Sequence, residues 1–300
     1  MTESREGVVA ATYGTRLQLR FADGNAVTAR IKGRKLRPVC GDRVHAEPLA
    51  NESDWVITAI LKRRNELTRP NMRGKIEVLA ANIDFLAVVC AATPRPDWFI
   101  IDRYLCAAEL MKIDAAVVYN KADDGTVDDR ASAELATFRD MGYATPVCSA
   151  KEQHNLDALT ALLADHTAII VGQSGVGKSS LINVLTSSEQ RTATISEGSG
   201  EGRHTTVNSV MLALPAGGYV VDSPGVRDYA PSIAEPADVE FGFREIHRTG
   251  MDCRFSNCRH RHEPHCAVKD GVTAGTVSER RYESYRRMLL LTEQQDKARY

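Results

Sequence analysis

Apolar residues recur through the first 66 residues in the short, strand-like runs GVVAAT, TRLQLRF, AVTARI, DRVHAEP and DWVITAIL. Turn signals at Asp23-Gly24-Asn25, Gly33, Pro38 and Gly41-Asp42 separate these runs, which predicts about five strands and little helix. Such a set suits a small barrel of the OB-fold kind. From about Asn82 the pattern changes. IDFLAVVCAA is continuously apolar and bounded by Pro94 and Pro96, as a strand buried on both faces would be. Asp97 is placed to cap the next helix, WFIIDRYLCAAELMK. There follow a strand (DAAVVY), a helix (DRASAELATFRDMG), a strand (TPVCSA), a helix (LDALTALLAD) and a strand (TAIIVG). Strands alternating with helices predict a mostly parallel, doubly wound sheet. Near the end, TVSERRYESYRRMLLLTEQQDKARY has the pattern of a basic amphipathic helix. It suits packing on its own domain or contact with RNA. The expected organisation is multi-domain: a barrel over 1–66, an α/β domain over 67–232 and a helical C-terminal domain over 233–300.

Composition narrows the class. The chain is 43% hydrophobic and 26% charged, with a net charge of −1. No run reaches the roughly 18 apolar residues of a membrane helix, and MTESREGVVA lacks the pattern of a secretion signal. Seven cysteines, an odd number, argue against a closed disulfide framework and for a reduced, cytoplasmic protein. The near-zero net charge conceals segregation. Residues 1–78 hold 15 Lys/Arg against 9 Asp/Glu, residues 79–250 hold 13 against 23, and residues 251–300 hold 10 against 7. Basic ends around an acidic middle suit a protein that grips a polyanion with its flanking domains; ordinary surface variation is the plain alternative. The most basic stretch, RIKGRKLRP, reads as a hairpin or loop that contacts an RNA backbone or is simply solvated.

The motifs point to nucleotide chemistry. Gly172-Gln173-Ser174-Gly175-Val176-Gly177-Lys178-Ser179-Ser180 contains the P-loop pattern, after the strand TAIIVG and before the helical KSSLINVLTS. Its glycines let backbone N–H groups surround a β-phosphate, and the helix N-terminus favours negative charge. Lys178 is expected to reach the β- and γ-phosphates, and the Ser179 hydroxyl to ligate Mg2+. Val220-Val221-Asp222-Ser223-Pro224-Gly225 ends an apolar strand in Asp-x-x-Gly, placing Asp222 toward Mg2+ and the Gly225 N–H toward the γ-phosphate. Asn120-Lys121-Ala122-Asp123 closes another strand. The Asp123 carboxylate matches the guanine N1–H and N2 amine, both donors, and rejects adenine. Lys121 can cover the base face and Asn120 can tie this loop to the P-loop. Ser149-Ala150-Lys151, again at a strand end, offers a backbone N–H to guanine O6. Together these specify GTP over ATP.

In an ordinary small GTPase the base reader follows the phosphate loop, whereas here it precedes it. The order is base reader at 120, second base loop at 149, P-loop at 172, a switch loop near 205 and Asp-x-x-Gly at 222. Rotating that order restores the usual one without exchanging neighbours, so the domain is expected to be circularly permuted, as folds with close termini tolerate. Downstream, CRFSNCRHRHEPHC offers Cys253, Cys258 and Cys266 as three thiolate ligands. By spacing His260, His262 or His265 supplies a fourth, completing a closed, structural zinc site.

The permuted motif order, the OB-like barrel and the cysteine pattern resemble the bacterial ribosome-small-subunit-dependent GTPase A (RsgA) family over nearly the whole chain. That resemblance implies a GTPase that binds the small (30S) ribosomal subunit and its 16S rRNA, cycles between GTP and GDP, and assists late small-subunit maturation, as a monomer in the cytoplasm. It selects His260 as the fourth zinc ligand. It makes Gly202-Arg203-His204-Thr205-Thr206 the switch I motif, with His204 orienting the attacking water and Thr205 or Thr206 on Mg2+. Val226 stands where many GTPases carry a water-orienting glutamine, so slow intrinsic hydrolysis is expected. Two rivals are a nucleotide-gated RNA-binding protein with negligible hydrolysis and a GTPase with a non-ribosomal nucleic-acid partner.

Overall fold

In a computed structural model of the chain, the described residues are 4–33, 35–50, 52–70, 76–123, 125–186, 209–223 and 235–297. The five expected N-terminal strands form as β1 (Arg5–Tyr13), β2 (Arg16–Phe21), β3 (Ala26–Ile31), β4 (Arg43–Pro48) and β5 (Trp55–Ile60). They close in the order β1-β2-β3-β5-β4 and back to β1, a complete barrel. Its inward residues, Val9, Leu17, Leu19, Ala29, Val44, Ala46 and Ile57, make a small separate core. Alternation forces this arrangement, because successive strand side chains point to opposite faces. Of RIKGRKLRP, Arg30 and Ile31 end β3 and the described residues 32–33 and 35–38 continue as a loop; Arg30 is paired with Glu52 and Asp54 at 2.9 Å each.

β1 serves two sheets. Arg5–Val8 pair with β4, whereas Ala11 and Thr12 pair with Val210 and Ser209 of β11 (Ser209–Ala213). A register shift between Val9 and Ala11, in the pairing with β2, marks the change of partner. The barrel and the α/β domain therefore share one ten-stranded sheet. A hairpin of β6 (Glu66–Pro70) and β7 (Ile76–Ala81), not evident from the sequence, joins them. Its Leu67, Leu79 and Ala80 are buried in the α/β core, and its foot is tied to the barrel. There Arg63 clamps the buried Asp42 through Nε and Nη2 at 2.7 and 2.8 Å.

The α/β domain follows the expected alternation: β8 (Phe85–Cys90), α1 (Trp98–Met111), β9 (Asp114–Tyr119), α2 (Asp129–Asp140), α3 (Leu156–Leu163), β10 (Thr167–Gly172), α4 (Lys178–Leu185), β11 and β12 (Tyr219–Asp222). All six residues of β8 are buried, as its apolar run requires. Asp97 caps α1, accepting from the Phe99 and Ile100 amides at 3.0 and 3.2 Å. The strand order β11-β12-β10-β8-β9 is parallel throughout except for β11.

One expectation needs correction. TPVCSA does not form a strand; it touches β9 through the isolated bridges Ala116–Ala144 and Tyr119–Val147. The Val117 and Tyr119 amides donate to the carbonyls of Ala144 and Pro146 at 3.0 and 2.9 Å, but Pro146 has no N–H to return to the ladder.

The C-terminal domain comprises a 3-10 helix (Pro236–Gly242), α5 (Arg244–Gly250), α6 (Ala267–Ala274) and α7 (Glu279–Lys297). Arg281, Ser284, Tyr285, Met288 and Thr292 form the buried face of α7, so packing accounts for its amphipathic pattern. The domain rests on α1, where Cys106 lies so close to Gly242 that a side chain there would overlap its sulfur. Among the described residues no helix is long and apolar enough to cross a membrane.

Candidate nucleotide site and metal centre

The carboxyl ends of parallel strands are where open α/β sheets bind ligands. Here the P-loop leaves β10, Asn120 to Asp123 leave β9, and Asp222 ends β12. Gly172, Gly175 and Gly177 all have positive φ, 136°, 85° and 93°, which lets the loop wrap without Cβ strain. Lys178 folds its ammonium over the loop, donating to the carbonyls of Gly172 and Gln173 at 2.7 and 2.6 Å. Ser179 and Ser180 are exposed at the start of α4, as are Ser174 and Gly175 of the loop.

Asn120 is the hub. Its buried side chain donates to the Val176 carbonyl at 2.9 Å and accepts from the Ala150 amide at 3.0 Å. One amide thus joins the base-reading loop, the second base loop and the P-loop. The Ala150 N–H is one of the groups that Asn120 holds. Lys121, at φ 66°, reaches the Gly175 and Thr93 carbonyls at 2.6 and 2.9 Å. The Asp123 carboxylate accepts from the Ser149 hydroxyl at 2.6 Å and faces the Lys151 ammonium at 3.5 Å, so it is held in place yet remains part-exposed. Gln173 accepts from the Asp97 amide at 2.9 Å, tying the P-loop to the start of α1. That tie and the role of Thr93 were not evident from the sequence, since neither Asp97 nor Thr93 belongs to a nucleotide motif.

A Cβ on Gly177 would overlap the Asn120 amide nitrogen, at a φ that L-residues avoid. Gly177→Ala is therefore expected to push Asn120 off Val176 and weaken guanine-nucleotide binding by at least about tenfold, roughly 1.4 kcal/mol. Titration with a fluorescent GDP analogue measures this.

His204, Thr205, Thr206 and Gly225 lie outside the described residues. Their flanks are close together: the Ser209 and Ser223 hydroxyls are 3.0 Å apart, bringing the start of β11 to the end of β12.

The second cluster is in the C-terminal domain. Ligand atoms of Cys253, Cys258, His260 and Cys266 all lie within 4.8 Å of one another. His260 Nδ1 is 3.5 Å from Cys253 Sγ and 3.4 Å from Cys266 Sγ, and those two sulfurs are 3.8 Å apart. A tetrahedron with Zn–S of about 2.3 Å and Zn–N of about 2.0 Å has edges of roughly 3.5–3.8 Å. Three thiols and an imidazole at these spacings fit a structural zinc ion. His262 and His265 are exposed and outside the cluster. The other four cysteines are packed side chains. Burial pushes Cys40, Cys90 and Cys106 up to about 12 and Cys148 to about 11, so they remain protonated thiols.

The comparisons with known proteins agree with this geometry. The family model described as RsgA GTPase matches residues 60–231. The chain belongs to the RsgA GTPase family. It is similar to proteins named small ribosomal subunit biogenesis GTPase RsgA: that of Actinobacillus succinogenes is 37% identical over 96% of this chain and 84% of its own. The Azotobacter vinelandii protein is 39% identical, over 95% and 85%. Among solved structures it resembles YjeQ from Thermotoga maritima, with 29% identity, a TM-score of 0.75, and 97% and 99% of the two chains covered. It also resembles YloQ, described as a circularly permuted GTPase, with 25% identity, a TM-score of 0.74 and coverage of 97% and 96%. As an RsgA-family member the chain is a GTPase with a permuted α/β domain between a β-barrel and a C-terminal domain carrying the Cys/His cluster.

Proposed function

We propose that this GTPase assists late maturation of the small (30S) ribosomal subunit in the cytoplasm, holding the subunit in its GTP state and leaving after hydrolysis. The observation that carries the reading is the sheet shared by barrel and GTPase domain. β1 pairs with β11, which lies between the switch segment near 205 and the Asp-x-x-Gly at 222. A barrel gripping RNA is thereby in hydrogen-bonded contact with the strand that links both switches. The named relatives support the small subunit as partner. In this reading 1–66 is the RNA-binding barrel, 67–232 the GTPase domain and 233–300 the zinc domain. The barrel and zinc domain contact 16S rRNA, and the protein acts as a monomer.

Each site residue takes a role set by its chemistry. Asp123 reads guanine N1–H and N2, Lys121 covers the base, Asn120 ties the base loop to the P-loop, and the Ser149-Ala150-Lys151 loop offers a backbone N–H to guanine O6. The amides of Gly172 to Ser180 surround the phosphates, with Lys178 on the β- and γ-phosphates. Ser179, Asp222 and Thr205 or Thr206 offer hard oxygen donors that suit Mg2+, which supplies charge neutralisation at the β- and γ-phosphates. Gly225 senses the γ-phosphate, and His204 orients the water. Cys253, Cys258, His260 and Cys266 hold one structural Zn2+.

Co-sedimentation with purified ribosomal subunits tests the partner. With a non-hydrolysable GTP analogue the protein should pellet with small subunits roughly 5–150-fold more tightly than with GDP, the usual range of such coupling. Equal retention in both states, or preference for large subunits or free RNA at the same salt, would reject the proposal.

A further inference from the structure

We propose that Glu240 is a positioning residue for the metal centre, accepting the Nε2–H of His260 and so turning Nδ1 toward the three cysteines. The proposal rests on the zinc reading of the cluster and adds a residue from outside it. An imidazole that ligates through one nitrogen carries its proton on the other, and that proton needs an acceptor. Here Nδ1 faces the sulfurs. Nε2 is buried without a well-formed hydrogen bond, and Glu240 Oε2 lies 3.5 Å from it. A shift of about 0.5 Å brings that pair to ordinary hydrogen-bond length.

The surroundings favour this pairing. Gly250, at the end of α5, leaves room beside this pair. A Cβ there would lie 3.0 Å from Glu240 Oε1 and 3.0–3.1 Å from His260 Cε1 and Nε2, pressed against both groups. The Tyr285 ring, 5.9 Å away between centroids, offers no competing acceptor on its face. Glu240 is steadied from the other side, with Oε1 3.3 Å from His247 Nδ1 on α5. The His260 backbone is held separately: the Tyr282 hydroxyl donates to its carbonyl at 2.5 Å. What remains to be fixed is the ring rotation, and Glu240 is the described side chain placed to fix it.

Zinc competition against a chromophoric chelator, on the full chain, tests the assignment. Glu240→Ala should weaken zinc binding by about 10–100-fold, the usual effect of losing an outer-shell partner. Glu240→Gln keeps an acceptor oxygen and should recover most of that loss. In the cobalt-substituted protein, the ligand-field absorption should shift in the Ala variant and return in the Gln variant. Gly250→Ala keeps the Glu240 side chain but presses a methyl against both it and the His260 ring, and should weaken zinc in the same range. Guanine-nucleotide affinity, read at the distant P-loop, should be unchanged in all three and serves as the folding control. Wild-type zinc affinity in Glu240→Ala or Gly250→Ala would overturn the proposal. So would a Gln variant as weak as the Ala variant, which would mark an effect of charge or packing. Failure of the zinc reading has a separate signature: the wild-type chain would retain no zinc against the chelator, and the proposal would fall with it.

Discussion

Asp123→Asn is expected to exchange the nucleotide preference of the protein from guanosine to xanthosine triphosphate. The carboxylate accepts from two guanine donors, N1–H and the N2 amine, and hydrogen bonds to charged groups contribute about 1.5–3 kcal/mol each. Replacing one oxygen by an NH2 group removes an acceptor and the charge, and sets a donor against the N2 amine. Loss of about 3–4 kcal/mol corresponds to roughly 10²–10³-fold weaker GTP binding. Xanthine carries an oxygen at C2, which the new amide can meet with a donor, so xanthosine triphosphate should bind better to the variant than to the wild type. The site is prepared for this comparison. Ser149 holds one carboxylate oxygen at 2.6 Å and its hydroxyl can rotate to suit an amide, so the loop need not move. Competition of the two nucleotides against a fluorescent GDP analogue measures both affinities. Unchanged GTP binding would remove Asp123 as the base reader.

Loss of Arg281 is expected to destabilise the fold by about 3–5 kcal/mol, the usual consequence of leaving a buried charge without its partner. The side chain is fully buried on α7. It donates through Nε and Nη2 to both Glu245 oxygens at 2.8 and 2.9 Å, and through Nη1 to Asp102 at 2.8 Å. Burial works against its charge, but Asp102 and Glu245 more than offset this and hold its pKa above the ordinary arginine value. Phe243 stacks beneath the guanidinium at 4.6 Å. Asp102 belongs to α1 and Glu245 to α5, so this one group fastens the C-terminal domain to the GTPase domain. Its neighbour Arg280 reaches Asp102 and Glu134 at 2.5 and 2.6 Å and reinforces the same seam. Arg281→Ala should lower the denaturant midpoint accordingly, and Arg281→Lys should recover little because a single ammonium cannot serve both carboxylates bidentately. The double variant Arg281→Met, Glu245→Leu should regain much of the loss, since removing both partners leaves no orphaned charge and Asp102 keeps Arg280. A near-neutral effect of Arg281→Ala would show that the seam is held by packing alone.

These two residues differ in how visible they are from sequence. Asp123 is found by its motif, because a base reader needs a fixed spacing after a strand. Arg281 sits in a charged run of the C-terminal amphipathic helix whose pattern does not single it out, and only the carboxylates from α1 and α5, distant in sequence, make it interior. The same division runs through the fold. The barrel strands and β8, β9 and β10 are legible because local alternation or a continuous apolar run is enough to define them. The hairpin β6–β7 and the strand β11 are short, and what fixes them is pairing with distant segments: Leu67 enters the α/β core and β11 finds β1. TPVCSA has the composition of a strand, but Pro146 breaks its ladder. At the metal centre spacing alone admits three histidines, and burial of His260 beside the thiols chooses among them. Glu240 had no signal at all, since nothing in the sequence relates a residue of the 3-10 helix to a cysteine cluster downstream.

The central claim, a nucleotide switch triggered by the small ribosomal subunit, is tested most directly by steady-state GTP hydrolysis with the protein alone, with small subunits and with large subunits. Val226 in place of a water-orienting glutamine predicts slow hydrolysis by the protein alone. The account predicts strong stimulation by small subunits only, lost in His204→Ala while GTP affinity is retained. Slow hydrolysis unchanged by either subunit would contradict it and leave a nucleotide-gated binding protein in its place.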